Sequence, residues 1–185
     1  MSDRHHPLTI SLHWLTLLLV LAGVTCVLLR ELVEDRDLRL LLLELHRNAG
    51  LLVLLVTSLR LFSRWPLAAH RINAGLPPPL HLAAKLGHGL LYLSLAAIPM
   101  LGWALSSARG QTVSLFGWLP LPALLGRDRD LAESLEAWHG NLAWALIALV
   151  SLHAAAALWH HYGRRDGVLR SMLPVLRKPS SPTTP

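Results

Sequence analysis

The stretch AWHGNLAWALIALVSLHAAAALWHHY, residues 137–162, places two histidines inside one long apolar run. His139 and His153 are 14 positions apart. In a helix they therefore lie within roughly 40° of one face and about 21 Å apart along the axis. A histidine ring in hydrocarbon needs a partner, because burying a polar group without one costs free energy. Two such rings on one face, at opposite depths, predict two stacked metal centres.

Three further apolar runs precede this stretch, and each is near the roughly 20 residues that a helix needs to cross a bilayer. The four predicted spans are about 8–29, 40–62, 82–105 and 137–161. The chain is 53% hydrophobic and only 15% charged, with a mean hydropathy of +0.45, which excludes an ordinary soluble domain. We therefore predict an all-α membrane protein, a four-helix transmembrane bundle, with one domain over residues 1–177 and a disordered tail over 178–185.

The segments between the spans carry helix-breaking residues. Residues 117–129 contain Pro120, Pro122 and Gly126 and predict either a loop or a short interfacial helix. Pro99 lies inside the third span and predicts a kink there. The first run is too long for the core of a signal peptide, so it is predicted to remain as a membrane span.

The charge and the cysteine count narrow the classes of protein. The net charge of +6 comes from basic residues in short loops beside apolar segments, which indicates contact with a lipid bilayer and not with nucleic acid. Cys26 is the only cysteine, so an intramolecular disulfide, a thiolate zinc site and an iron–sulfur cluster are excluded. A CxxCH motif is also absent, so any haem is bound non-covalently.

Basic residues are unequally divided between the two sides of the predicted bundle. The side with both termini and the loop after the second span carries ten basic and two acidic residues, and the other side carries seven and nine. Because lysine and arginine concentrate on the cytoplasmic side, both termini are predicted to be cytoplasmic. We call this side the inner side and the other the outer side.

With this orientation, the depths of four histidines match two by two. His13 and His153 fall on the inner side, and His46 and His139 fall on the outer side. One such histidine alone is more often an ordinary interfacial residue, but two matched pairs favour two centres. Haem is the centre that histidine pairs most often hold between membrane helices. The pairs are therefore the predicted axial ligands of an inner and an outer haem iron.

Two further histidines lie at inner ends of spans. His88 follows Lys85 near the start of the third span, and His160 ends the fourth. Each is predicted either to bind a haem propionate or hydrogen-bond a quinone carbonyl, or to belong to an interfacial belt of polar residues.

Several short motifs, in their order and spacing, resemble the bacterial cytochrome b561 family over nearly the whole chain. They are ISLHW at 10–14, LH at 45–46, AKLGH at 84–88, AWH at 137–139 and LHAAAALWHHY at 152–162. The last motif and the short length are most similar to the superoxide oxidase branch. The resemblance implies a bundle of four helices holding two non-covalent b haems on the same histidine pairs. It also implies a ubiquinone site near the inner haem, for which His160 is a candidate.

That branch implies an enzyme that passes electrons from superoxide on the outer face to ubiquinone in the membrane, without an obligate protein partner. Arg109 is the predicted residue for the approach of superoxide, although it also fits an ordinary span-flanking arginine. Two alternatives stay open. One is a cytochrome b anchor subunit of a hydrogenase or dehydrogenase complex, and the other is a non-redox membrane protein such as a transporter or scaffold.

Overall fold

The computed structural model describes residues 6–67 and 78–173, almost all of them in helices. The elements in chain order are α1 (Pro7–Leu32), α2 (Arg36–Leu67), α3 (Pro78–Ala108), β1 (Ser114–Leu115), β2 (Leu119–Pro120), α4 (Arg129–Trp159), a π-helical turn (His160–Arg164) and α5 (Val168–Ser171). The predicted tail over 178–185 lies outside the described residues.

The four long helices are each long and apolar enough to cross a membrane, which confirms the predicted all-α membrane fold. Each begins before its predicted span, α4 by eight residues. The early start of α4 has a local cause, because the side chain of Asp128 accepts a hydrogen bond from the backbone N–H of Leu131 at 3.0 Å. This N-cap and the carboxylate of Asp130 in the first turn stabilise the helix end.

The helices pack as sequence neighbours, α1 with α2, α2 with α3, and α3 with α4. Their shared core is the buried cluster of Val53, Leu95, Ile98 and Leu146. Leu146 lies midway along α4 between His139 and His153, so this apolar cluster separates the two histidine levels. Many leucines face outward; Leu18, Leu93 and Leu152 are 62%, 65% and 68% exposed, as expected for helices that contact lipid.

The outer connection between α3 and α4 is a β-hairpin followed by a loop, so the alternative of a short interfacial helix is wrong. β1 and β2 pair antiparallel, with Leu115 opposite Leu119. Phe116 and Gly117 at the tip have φ of 53° and 74°, the left-handed region that allows the chain to reverse. The backbone N–H of Phe116 donates to Oδ1 of Asn48 at 2.6 Å, which fastens the hairpin to α2 close to His46.

The inner end of α4 reverses through the π-helical turn. Arg165 follows it with φ of 53°, and the chain then enters α5. The indole N–H of Trp14 donates to the carbonyl oxygen of Met172 at 2.8 Å. The segment after α4 is thereby tied back to α1, one residue from His13.

Candidate functional site

At the outer level, the structure brings together His46 of α2 and His139 of α4. Their ring centroids are 6.0 Å apart and their planes cross at 80°. A metal–imidazole bond is about 2.0–2.1 Å, so two rings that coordinate one ion from opposite sides have centroids roughly 6 Å apart. The spacing of this pair therefore fits two axial ligands of one haem iron.

The hydrogen bonds of His46 and His139 determine which ring nitrogen can bind a metal ion. Nδ1 of His46 lies 3.0 Å from the carbonyl oxygen of Gly23, and Nδ1 of His139 lies 3.1 Å from that of Ile98. A carbonyl oxygen only accepts, so each Nδ1 carries the hydrogen and each Nε2 keeps its lone pair. This is the arrangement that metal-ligating histidines adopt.

Two glycines lie against these rings, and Gly102 leaves space that the ring of His139 occupies. Gly23 is buried, and a Cβ there would lie 3.8 Å from Nδ1 of His46. A Cβ on Gly102 would lie 3.1 Å from Cε1 of His139, which is closer than ordinary packing allows. Gly102 could not be identified from the sequence, because only the packing of α3 on α4 brings it under His139.

At the inner level, the structure brings together His13 of α1 and His153 of α4. Their ring centroids are 6.2 Å apart, with an interplanar angle of 62°. This spacing again fits two ligands on opposite sides of one metal ion. Within the described residues, three or more histidine, cysteine or carboxylate side chains nowhere converge to hold a metal ion directly, whereas a haem iron needs only two such ligands.

The surroundings of His13 differ from those of the outer pair. A terminal nitrogen of Arg60 lies 3.4 Å from Nδ1 of His13, and the other donates to Thr16 Oγ1 at 3.3 Å. The Arg60 guanidinium also lies 5.3 Å from the ring centroid of Tyr92. Because a guanidinium only donates, Nδ1 of His13 is the acceptor here. Coordination through Nε2 requires the opposite tautomer, with the Arg60 donors turned away. The contact of Arg60 with His13 could not be predicted from the sequence, because it depends on how α2 is rotated against α1.

His88 lies beside the inner pair, with its ring centroid 5.4 Å from that of His153. Its Nδ1 donates to the carbonyl oxygen of Ala84 at 2.8 Å, so Nε2 is its acceptor atom. His88 is exposed at the surface of α3, unlike the half-buried His13 and His153. His88 could therefore contact a ligand that is bound next to His13 and His153.

His160 forms a close pair with a carboxylate that the sequence did not single out. Nδ1 of His160 lies 2.5 Å from Oδ2 of Asp166, and the two side chains are 15% and 25% exposed. Desolvation acts to raise the pKa of Asp166, but the hydrogen bond with His160, the backbone N–H of Val168 and the charge of Arg164 together hold that pKa below its usual value. Asp166 is therefore a carboxylate at neutral pH.

On the outer face, three arginines are paired with carboxylates of α2 or α4. Arg109 meets Glu136 at 2.6 Å. The other two pairs are Arg47–Glu44 at 2.6 Å and Arg129–Glu133 at 3.2 Å. Arg127, which packs against Gly110, makes no ion pair with the described part of the chain. Arg109, the residue predicted for superoxide approach, therefore presents a charge that Glu136 largely cancels.

Comparison with known proteins agrees with this geometry. A family model described as prokaryotic cytochrome b561 matches residues 4–175. The chain is 33% identical to a protein of Yersinia pestis named probable superoxide oxidase CybB, over 96% of this chain and 99% of that one. It is 33% identical to cytochrome b561 homolog 1 of Escherichia coli K12, over 93% and 98% of the two chains. It is 36% identical to cytochrome b561 homolog 2 of the same organism, over 70% and 69%.

Proposed function

We propose, from the premise that this chain belongs to the prokaryotic cytochrome b561 family, that it passes electrons from superoxide to ubiquinone across a bacterial inner membrane. Membership makes it a multi-pass membrane oxidoreductase that transfers electrons and binds b-type haem. The observation that carries the finer proposal is the presence of one histidine pair near each end of the bundle, at 6.0 Å and 6.2 Å.

We assign His46 and His139 to an outer haem, and His13 and His153 to an inner haem. When bound, a bis-histidine haem supplies one-electron chemistry without an open position for oxygen. The protein orients the histidine ligands and separates the two haem sites with apolar side chains. The carbonyl oxygens of Gly23 and Ile98 orient the outer rings, and the apolar cluster between the levels keeps water away from the path.

At the inner end, the proposed acceptor is ubiquinone, which takes up protons from the cytoplasmic side. His160 and His88 are the side chains assigned to its carbonyl oxygens, or to a haem propionate. Two observations support this placement. His88 adjoins His153, and His160 ends the helix that carries His153, on the side where the chain returns to α1. Both termini are proposed to be cytoplasmic because of the excess of basic residues on this side.

At the outer end, the proposed donor is superoxide, an anion that positive charge attracts. The name of the Yersinia pestis relative, probable superoxide oxidase, supports this choice of donor. The ion pair between Arg109 and Glu136 weakens the case for Arg109 as the attracting residue. Arg127 is the better candidate, because its charge is not paired within the described residues.

The test is a haem count and a reduction assay on the purified protein. A pyridine haemochrome assay should give two b haems for each chain, and a superoxide-generating system should reduce them. Superoxide dismutase should abolish the reduction, and ubiquinone should reoxidise the haems. Two haems that superoxide does not reduce, together with a copurifying protein, would favour a cytochrome b anchor subunit. A colourless protein would contradict the assignment of the histidines.

A further inference from the structure

The geometry points to Asp166 as the positioning residue of His160: its carboxylate holds the ring by Nδ1 and leaves Nε2 to deliver a proton to the quinone. This inference rests on the quinone reduction proposed above and adds a residue to it. Asp166 itself does not touch the quinone, since it acts through the His160 ring.

The contacts of Asp166 show that it is held in place from several directions. Oδ2 lies 2.5 Å from Nδ1 of His160 and 3.7 Å from Nε of Arg164. Oδ1 accepts the backbone N–H of Val168 at 3.1 Å. The backbone N–H of Asp166 in turn donates to the carbonyl oxygen of His160 at 3.2 Å. Both the main chain and the side chain of Asp166 are therefore bound to the residue that it would orient.

An uninterrupted α-helix would not bring these two residues together. Positions six apart in a helix are about 240° apart around the axis, on different faces. Here the helix widens into the π-helical turn over His160–Arg164, and Arg165 adopts a left-handed conformation with φ of 53°. A non-glycine residue pays free energy in that conformation, and such features concentrate at functional sites. This backbone conformation brings the side chain of Asp166 back to the ring of His160.

Several charged and titratable groups surround the pair. A cavity of about 290 Å³ beside Asp166 is lined by His161, Tyr162, Arg165 and Arg170, and Nε of Arg164 lies 3.7 Å from Oδ2 of Asp166. The elements packed against the π-helical turn are α4, which carries His153, and α5, which carries Arg170. The carboxylates of α4 (Asp130, Glu133 and Glu136) lie at its other end, so Asp166, in contact with the ring, is the carboxylate placed to stabilise a positive charge on His160.

The chemistry of quinone reduction needs such a charge. Two superoxide anions, one quinone and two protons give two molecules of dioxygen and one quinol, so each superoxide loses one electron and each quinone oxygen gains one proton. With both nitrogens protonated, His160 gives the proton on Nε2 to one carbonyl oxygen. The Nδ1 hydrogen stays on the ring in its bond to Asp166. A proton from the cytoplasmic side then returns to Nε2, and a second proton from that side reaches the other carbonyl oxygen.

The decisive experiment compares Asp166→Asn with Asp166→Glu and His160→Gln in the haem-loaded protein in lipid nanodiscs. Asp130→Asn is the matched control, because Asp130 is an exposed aspartate at the outer start of α4. Haems are first reduced chemically, and their oxidation by decylubiquinone is followed by stopped flow from about pH 5 to about pH 9. Haem reduction by superoxide is measured separately, because it reports on electron entry at the outer pair and not on quinone reduction.

Asp166→Asn should slow oxidation by decylubiquinone at least about tenfold near pH 8, within the range that a proton donor contributes. The slowing should be greater at alkaline than at acidic pH, because an amide no longer stabilises a positive ring. Asp166→Glu should restore part of the rate, and Asp166→Asn should add little to His160→Gln. Haem content and reduction by superoxide should stay unchanged in both Asp166 variants.

A wild-type pH profile in Asp166→Asn would overturn the role of Asp166, as would an equal loss at every pH that Asp166→Glu does not relieve. These results leave the proposed function intact if the wild-type protein still responds to superoxide and quinone. A wild-type protein that superoxide does not reduce contradicts the proposed donor alone. One that decylubiquinone does not oxidise contradicts the quinone acceptor, and with it the role of Asp166.

Discussion

The outer pair, His46 and His139, donates both Nδ1 hydrogens to backbone carbonyl oxygens, whereas His13 of the inner pair faces the guanidinium of Arg60. The two pairs have nearly the same ring spacing, so distance does not distinguish them. The difference is that backbone carbonyl oxygens orient the outer rings, whereas the charged side chain of Arg60 lies beside the inner pair. Main-chain partners cannot turn away, but Arg60 can change its rotamer when a ligand binds.

This difference has an electrostatic consequence for bound haem. A carbonyl acceptor at Nδ1 makes the imidazole a stronger electron donor and favours the oxidised iron. A guanidinium close to a ligand favours the reduced iron, because reduction removes one positive charge, and the low dielectric of the bundle strengthens the effect. We therefore expect the inner haem to have the higher potential, so that electrons move inward with a favourable free energy.

The largest expected effect is the loss of one haem from either level. His139→Ala should remove only the outer haem and His153→Ala only the inner one, because each removes one of two axial ligands. The measurement is the ratio of haem to protein by pyridine haemochrome, which should fall by about half. His81→Ala, at an exposed position of α3, is the control. Retention of two haems in both single variants would contradict the pairing.

A smaller but still large effect should follow from filling the space under His139. Gly102→Ala places a methyl group 3.1 Å from Cε1 of that ring, and overpacking of this kind costs about 1–3 kcal/mol. We expect outer-haem affinity to fall roughly tenfold, measured by haem transfer to apomyoglobin. Gly140→Ala, where nothing lies within 4 Å, is the matched control. Equal affinities of the two variants would show that the ring is free to shift.

Arg60→Gln should lower the potential of the inner haem and leave that of the outer haem in place. A tenfold change in a one-electron equilibrium is about 59 mV, and we expect a decrease of this order, read from a spectroscopic redox titration. The outer haem is the internal control, and Arg60→Lys should shift the inner potential less because it keeps the charge. An unchanged inner potential in Arg60→Gln would show that the cation does not bias the direction of transfer.

The sequence predicted these levels but not what holds each ring. Hydrophobic runs and the bias of arginines fix the spans and their direction, so His13 and His153 could be matched by depth alone. Contacts across helices, such as Gly102 under His139, depend on helix rotation, which periodicity leaves open. Two-residue strands carry no alternation to detect. The return of Asp166 to His160 could not be predicted because a π-helical turn departs from the 3.6-residue repeat.

The smallest expected effect concerns the approach of superoxide to the outer pair. Arg127→Gln should slow haem reduction by superoxide about two- to threefold at low ionic strength, because its charge attracts the anion without a carboxylate partner among the described residues. Arg109→Gln should change the rate less, since Glu136 already cancels most of its field. The rates come from stopped flow with pulsed superoxide, and added salt should reduce the difference because it screens exposed charges. A larger loss in Arg109→Gln than in Arg127→Gln would restore Arg109 as the attracting residue and imply that its pair with Glu136 opens in the membrane.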